Sequence, residues 1–242
     1  FGSFFVEVLA LRLYFSGLSS LQEAEMLREA GVEHVLVDPT DLPQAERFRH
    51  IALDSGAYRV WKKGGALDVS AYLELVERLA GRIDFAVAPD VVGDPEATKR
   101  NWLQVRHCRK VVPVWQWGAP REHLEEYLSE RELVCIGGLV PLMRVKDEKM
   151  LAELEALCQE YPGRFHVLGI NWLKAIERLR EIAASGDTSK WLDGGRYGHL
   201  IFVHGRTGHL HQAPAKALSQ GHLNRRERNI LCARALVQFC AA

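Results

Sequence analysis

Short apolar runs in this sequence end, one after another, on residues able to do chemistry. HIAL is followed by Asp54, FAVAP by Asp90 and VVPVW by Gln116. Gly137 and Gly138 sit inside LVCIGGLV, and Asp187 opens a weaker eighth run. A pair of carboxylates supports substitution at an anomeric carbon: one attacks the sugar and holds it, and the other moves protons on the leaving and entering groups. A third carboxylate, a glutamine and glycine backbone supply donors and acceptors that suit a purine edge. Taken singly, Asp54 also fits an Asx turn, Asp90 a loop leading to a cap at Asp94, and the glycines mere packing. Whether they form one site depends on the elements that carry them.

Those elements alternate. LRLYFSG, HVLVD, HIALDSG, DFAVAPD, VVPVWQWG, LVCIGGLV and FHVLGI read as strands, with the eighth beginning near Asp187. Between them lie amphipathic helices. In DVSAYLELVERLAG, Val69, Tyr72, Leu73, Val76 and Leu79 keep helical spacing, and Gly81 is a natural stop. Ser20 and Glu23 predict a capping box, with Gly31 as the stop; Asp94 predicts a cap with Pro95 in the first turn. Leu173, Ile176, Leu179 and Ile182 or Ala183 mark a further helix. Eight strands alternating with helices predict an α/β fold, a (β/α)8 barrel in which the strand ends converge on one mouth. A doubly wound sheet is the rival, but neither GxGxxG nor a Walker loop is present to support it. From about residue 198 the rhythm changes to a hairpin, HLIFVHGRTGHLHQ, and a terminal helix, all within one domain spanning 1–242.

With 242 residues, 48% of them apolar and 26% charged, the chain has the composition of an ordinary globule, and its formal net charge of zero announces no polyanion partner. A local basic groove is still compatible with that balance. Trp61, Lys62 and Lys63 beside the Asp54 turn are candidates for nucleic-acid contact, the lysines on phosphates and the indole stacked on a displaced base. Arg225, Arg226 and Arg228 near the terminal helix form a second cluster, equally readable as solvated charge. Five scattered cysteines without a CxxC pair predict reduced thiols and a cytoplasmic protein. The sequence begins with Phe1, read as a fragment or processed start. FFVEVLALRLYF is interrupted by Glu7 and Arg12 and too short for a bilayer, so it predicts an N-terminal strand rather than a membrane span or signal peptide.

Six blocks, in order across about residues 50–205, resemble the tRNA-guanine transglycosylase superfamily. They are LDSGAYRVW, DFAVAPDVVGDPEATKRN, VPVWQWG, CIGGLV, FHVLGI and SGDTSKWLDGGRYGHLIF. The form SGAY…W.KG is closest to the branch that exchanges guanine in DNA for a 7-deazaguanine such as preQ0. The resemblance implies a (β/α)8 barrel, Asp187 as the nucleophile at C1′, and Asp54 as general acid/base. It further implies that Asp90, Gln116 and the Gly138 N–H read the base, with Gly137 and the Leu139 carbonyl nearby, and that Ser55 and Gly56 shape the turn and touch substrate. DNA is the implied partner, with tRNA as the alternative; a partner ATPase and the oligomeric state are left open, and no cofactor is implied.

Two departures stand out. The family's DMFD appears here as SGDTS, so Asp187 is placed by its spacing to Gly198. The cysteine-rich zinc subdomain frequent in the family has no counterpart. His199, His204, His209 and His211 are read as polar hairpin residues rather than metal ligands, so no metal is expected. A catalytically silent nucleobase-binding barrel and a glycosidase acting on free nucleosides or sugars are the competing functional classes.

Overall fold

The computed structural model describes residues 10–65 and 67–242, with the side chain of Trp61 left out. Strands and helices alternate through most of the chain. They run β1 (Arg12–Phe15), α1 (Leu21–Glu29), β2 (His34–Val37), α2 (Leu42–Ala45), β3 (His50–Leu53), α3 (Ala57–Lys62) and α4 (Val69–Leu79). Next come β4 (Phe85–Val87), α5 (Pro95–Val105), β5 (Val111–Val112), β6 (Val114–Gln116), α6 (Arg121–Glu130), β7 (Val134–Gly137), α7 (Val140–Val145) and α8 (Glu148–Glu160). The chain ends with β8 (Phe165–Val167), α9 (Leu173–Leu179), β9 (Ser185–Thr188), α10 (Asp193–Tyr197), β10 (His199–Val203), β11 (Leu210–Pro214) and α11 (Arg225–Ala241).

Nine parallel strand segments follow the order β5-β4-β3-β2-β1-β9-β8-β7-β6 and form a nearly closed barrel. The eight expected runs became nine segments because Pro113 splits the fifth. Proline has no N–H for the ladder. Before it, β5 pairs with β4; after it, β6 pairs with β7. The Ala88 N–H donates to Val112 O on one side, and the Cys135 N–H donates to Pro113 O on the other, each at 2.8 Å. One run of chain thereby borders both edges of the sheet and curls it round, removing the open edges that a flat parallel sheet would expose.

Strand burial is nearly continuous, as expected for a parallel sheet covered by helices. The helices are held by caps that their sequences specify. Asp68 and Asp94 each accept a hydrogen bond from the N–H three residues on, and Pro95 opens α5. Tyr72 of α4 donates its hydroxyl to Val87 O at 2.7 Å, tying the helix to β4. At α1 the box is half formed: Ser20 Oγ accepts from the Glu23 N–H, but the Glu23 carboxylate reaches Ser19, at 2.9 Å from its N and 2.8 Å from its Oγ. The complete capping box belongs to Asn224 and Glu227 at the start of α11. Gly31 and Gly81 each directly follow a C-cap, Ala30 and Ala80, and Gly31 does so at φ +83.

Two expectations shift in position. The stretch after Asp54 is already helical, so Trp61 and Lys62 lie on α3 rather than on a loop ahead of the next helix. The expected N-terminal strand, 4–15, is β1 alone over the described part; its residues 4–9 lie outside the described residues. The antiparallel hairpin of β10 and β11 packs with α11 over one side of the barrel, as the change of rhythm near residue 198 foretold.

Gly194 lets α10 approach α11 closely: a Cβ there would stand 2.7 Å from the Arg228 carbonyl carbon and 2.8 Å from its oxygen. Neither atom can swing aside as a side chain would. Gly194→Ala is expected to lower the unfolding free energy by about 1–3 kcal/mol in urea titration. Gly205→Ala, with nothing within 4 Å, should leave it unchanged.

Candidate active site

The polar residues singled out by sequence share the C-terminal end of the barrel. Asp54 follows β3, Asp90 follows β4, Gln116 ends β6, Gly137 ends β7, and Asp187 lies within β9. Active sites of such barrels sit at this face. The side chains converge. Burial and then the charges of Asp90, Asp187 and Asp38 push the Asp54 carboxyl up to about 7, against a weaker opposing hydrogen bond from the Gly56 N–H. Beneath them the buried Cys135 thiol is pushed well up, by burial first and then by Asp187, Asp54 and Asp90.

Each carboxylate has a different environment. Asp187 is buried; burial raises its pKa, while the Gly169 N–H, 2.7 Å from Oδ1, and the Ser16 hydroxyl favour the ionised form. Gly169 holds φ +70, and a Cβ on it would lie 2.7 Å from Val140 Cγ2, so the N–H reaches Asp187 only because glycine is there. Gly186 is similarly demanded, since a Cβ would overlap Ile170 Cδ1 and lie 3.0 Å from Val167 O. Asp90 is raised by burial and held down by Gln116. A Cβ on Gly137 would stand 3.7 Å from Asp90 Oδ2.

Gln116 is more constrained than the resemblance implies. Its Nε2 donates to Asp90 Oδ2 at 3.1 Å and to Val91 O at 2.7 Å, and its Oε1 accepts the Gly93 N–H at 3.0 Å. Both amide hydrogens are therefore committed to the loop that carries Asp90, and Gln116 positions that loop. The Leu139 carbonyl likewise accepts the Met143 N–H at 2.9 Å, inside the first turn of α7. Gly138 turns the chain at φ +77 between them. Ser55 is buried and its hydroxyl accepts the Ala57 N–H at 3.2 Å, while Gly56 holds φ +73; together they start α3 immediately beside Asp54.

Several participants escaped the sequence reading. Asp38 closes HVLVD just as Asp54 closes HIALD, which was the available signal. Its Oδ1 accepts from the Thr40 N–H and hydroxyl, and its Oδ2 pairs with Arg59 at 2.5 Å. Arg59 also bridges to Asp41 at 2.9 Å and to Thr40 Oγ1 at 2.6 Å, so α3 is tethered over the end of β2. His166 lies in the apolar strand β8 with Nδ1 2.8 Å from Ser185 Oγ, and burial lowers its pKa to about 3. Its Nε2, 3.9 Å from Asp187 Oδ1, therefore faces the carboxylate as a neutral ring rather than as an ion pair.

The rim candidates divide. Lys62 and Lys63 are exposed beside the Asp54 turn, as is Tyr58 at 50%. Trp61 is placed on α3 by its backbone, and its side chain lies outside the described residues. Arg225 is exposed, but Arg226 pairs with Glu29 at 2.5 Å, and Arg228 donates to Gly194 O at 2.7 Å and to Leu223 O. Those two hold α11 in place. His199 and His204 bond Gln212 and Thr207, and His209 faces Glu177. Among the described residues no His/Cys/Asp/Glu group is arranged to hold a metal ion. A cavity of about 690 Å³ opens at the opposite barrel end, lined by Arg12, Tyr14, Asp84 and Arg109 among others. It contains none of the three carboxylates, so chemistry rather than volume marks the mouth. No helix of the described residues is long and apolar enough to cross a membrane.

No protein-family model and no curated protein matches the sequence. Among solved structures, a protein from Aquifex aeolicus VF5, described as a structural study, superposes with a TM-score of 0.51. The match covers 95% of this chain and 93% of that one at 10% identity, a likeness of fold alone.

The raised Asp54 pKa has a stability consequence. The folded state holds this proton more tightly than an unfolded Asp at 3.8, so the contribution is fully present below that value and is lost as pH rises through about 7. Asp54→Asn is thus expected to raise the unfolding free energy at pH 8 by about 1–3 kcal/mol. The gain should shrink towards zero below pH 4 in parallel urea titrations.

Proposed function

We propose that the protein exchanges a base in DNA, replacing guanine with a 7-deazaguanine through a covalent glycosyl-Asp187 intermediate. The observation that carries this reading is the convergence of Asp54, Asp90 and Asp187 at one barrel mouth, with Asp54 poised to titrate at about 7. In the first step an Asp187 oxygen bonds to C1′ as the bond from C1′ to the guanine nitrogen breaks, and Asp54 gives the departing nitrogen a proton. In the second, the incoming base loses its ring N–H proton to Asp54, its nitrogen bonds to C1′, and Asp187 leaves as carboxylate. The outgoing base gains one proton and the incoming base gives one up, so Asp54 is restored. A carboxyl near neutrality suits both directions.

Asp90 faces the same space and supplies acceptors for a base edge, with Gln116 fixing its loop. Reaching C1′ in a duplex requires the nucleotide to be flipped out. Lys62 and Lys63 are the exposed cations beside the mouth that suit backbone phosphates. Arg226 and Arg228 suit that role less, since Arg226 pairs with Glu29 and Arg228 donates to the Gly194 and Leu223 carbonyls.

The test is incorporation of labelled preQ0 into DNA and, in parallel, into tRNA. Asp187→Ala and Asp54→Ala should each lose at least about 1000-fold in rate. Wild type should give a protein–DNA adduct on a denaturing gel that Asp187→Ala does not form. Full activity in both variants defeats the mechanism, and incorporation into tRNA alone moves the substrate. The double variant Lys62→Ala/Lys63→Ala should weaken DNA binding and flatten the slope of log affinity against log salt by about 2.

A further inference from the structure

At the centre of the barrel His166 is fully buried, with its ring edge-on to Tyr14 of β1 and Phe85 of β4. β4 and β8 are not neighbours in the sheet, so the ring fills the barrel interior directly below the mouth. Its Nδ1 has a partner in Ser185 Oγ at 2.8 Å, on the strand that carries Asp187 two residues later. Its Nε2 is buried without a hydrogen-bond partner and stands 3.9 Å from Asp187 Oδ1. A buried imidazole nitrogen left unpaired is costly, and the carboxylate is the acceptor within reach of a sub-ångström to one-ångström adjustment. The groups facing the ring are Arg12 and Tyr14 from β1, Cys135 from β7, and Ser185 and Asp187 from β9. Of these, the charge nearest Nε2 is negative.

We propose that Ser185 and His166 form a relay that points an Nε2–H at Asp187 and holds its carboxylate in the orientation for attack. The Ser185 hydroxyl donates to Nδ1, which fixes the proton on Nε2. That N–H then complements the Gly169 N–H and the Ser16 hydroxyl, giving Asp187 donors on the side away from substrate. His166 stays neutral throughout and exchanges no proton with substrate; it is a positioning residue. Its value to catalysis rests on the base-exchange reading, whereas the tautomer and the contact do not.

Two measurements on the full chain test the relay. In a long-range proton–nitrogen spectrum of uniformly 15N-labelled protein, His166 should show a bare Nδ1 and a protonated Nε2, unchanged from pH 5 to 8. The Nε2–H signal should move when Asp187→Asn is introduced. An Nδ1–H tautomer, or a signal indifferent to Asp187→Asn, overturns the proposal. In the preQ0 exchange assay His166→Phe should lower the rate about 10–100-fold, and His166→Gln, which keeps an N–H near the Nε2 position, should recover most of it. Full activity in His166→Phe, or no recovery in His166→Gln at equal folded fraction, also overturns it. If wild type exchanges no base at all, the spectrum still decides the contact, so failure of the activity and failure of the relay are told apart.

Discussion

Negative charge gathered out of water is the constraint on which this structure turns. Asp54, Asp90 and Asp187 face one another at the barrel mouth, and burial with mutual repulsion would protonate or splay them were nothing arranged to hold them. The surroundings answer each differently. Asp187 takes an N–H from Gly169 and a hydroxyl from Ser16, Asp90 takes an amide from Gln116, and Asp54 is left with the Gly56 N–H and a pKa near neutrality. Three residues of one type thus sit in three different hydrogen-bonding environments, although burial raises the proton affinity of each.

Holding those donors in place sets demands on the loops. Gly169 must take a left-handed conformation to deliver its N–H, and Gly186 must lack a Cβ for Ile170 to pack against β9. The loop after β4 is pinned at three points by one glutamine. On the other side, Arg59 spans Asp38, Thr40 and Asp41, so the helix bearing Lys62 starts from a fixed position above the site. At the opposite barrel end the Tyr14 hydroxyl donates to Asp84 at 2.9 Å.

Charge on the outer surface follows a different rule. The terminal arginine cluster reads in sequence as a single basic patch, yet Arg226 reaches Glu29, 197 residues earlier, and Arg228 caps backbone carbonyls. Lys62 and Lys63, at the end of the helix that starts beside Asp54, are exposed.

By itself the sequence determined the alternation of strands and helices, because hydrophobic period and caps are local signals that need no partner. It also placed Asp54, Asp90, Gln116 and Gly137 at strand ends, since each follows or interrupts an apolar run, whereas Asp187, read as opening the eighth run, is the third residue of β9 because that strand begins already at Ser185. The tertiary structure alone decided what those ends meet. Pro113 splits one run into two pairings, and only barrel closure reveals that this brings the first and last segments of the sheet together. Gln116 anchors the loop after β4 because its partners come from another strand's loop. His166 looked like one more residue of an apolar strand until the barrel set it below Asp187. The reason is common to all three: periodicity reports which way a residue faces, but a carboxylate's protonation and an amide's free lone pairs depend on neighbours distant in sequence.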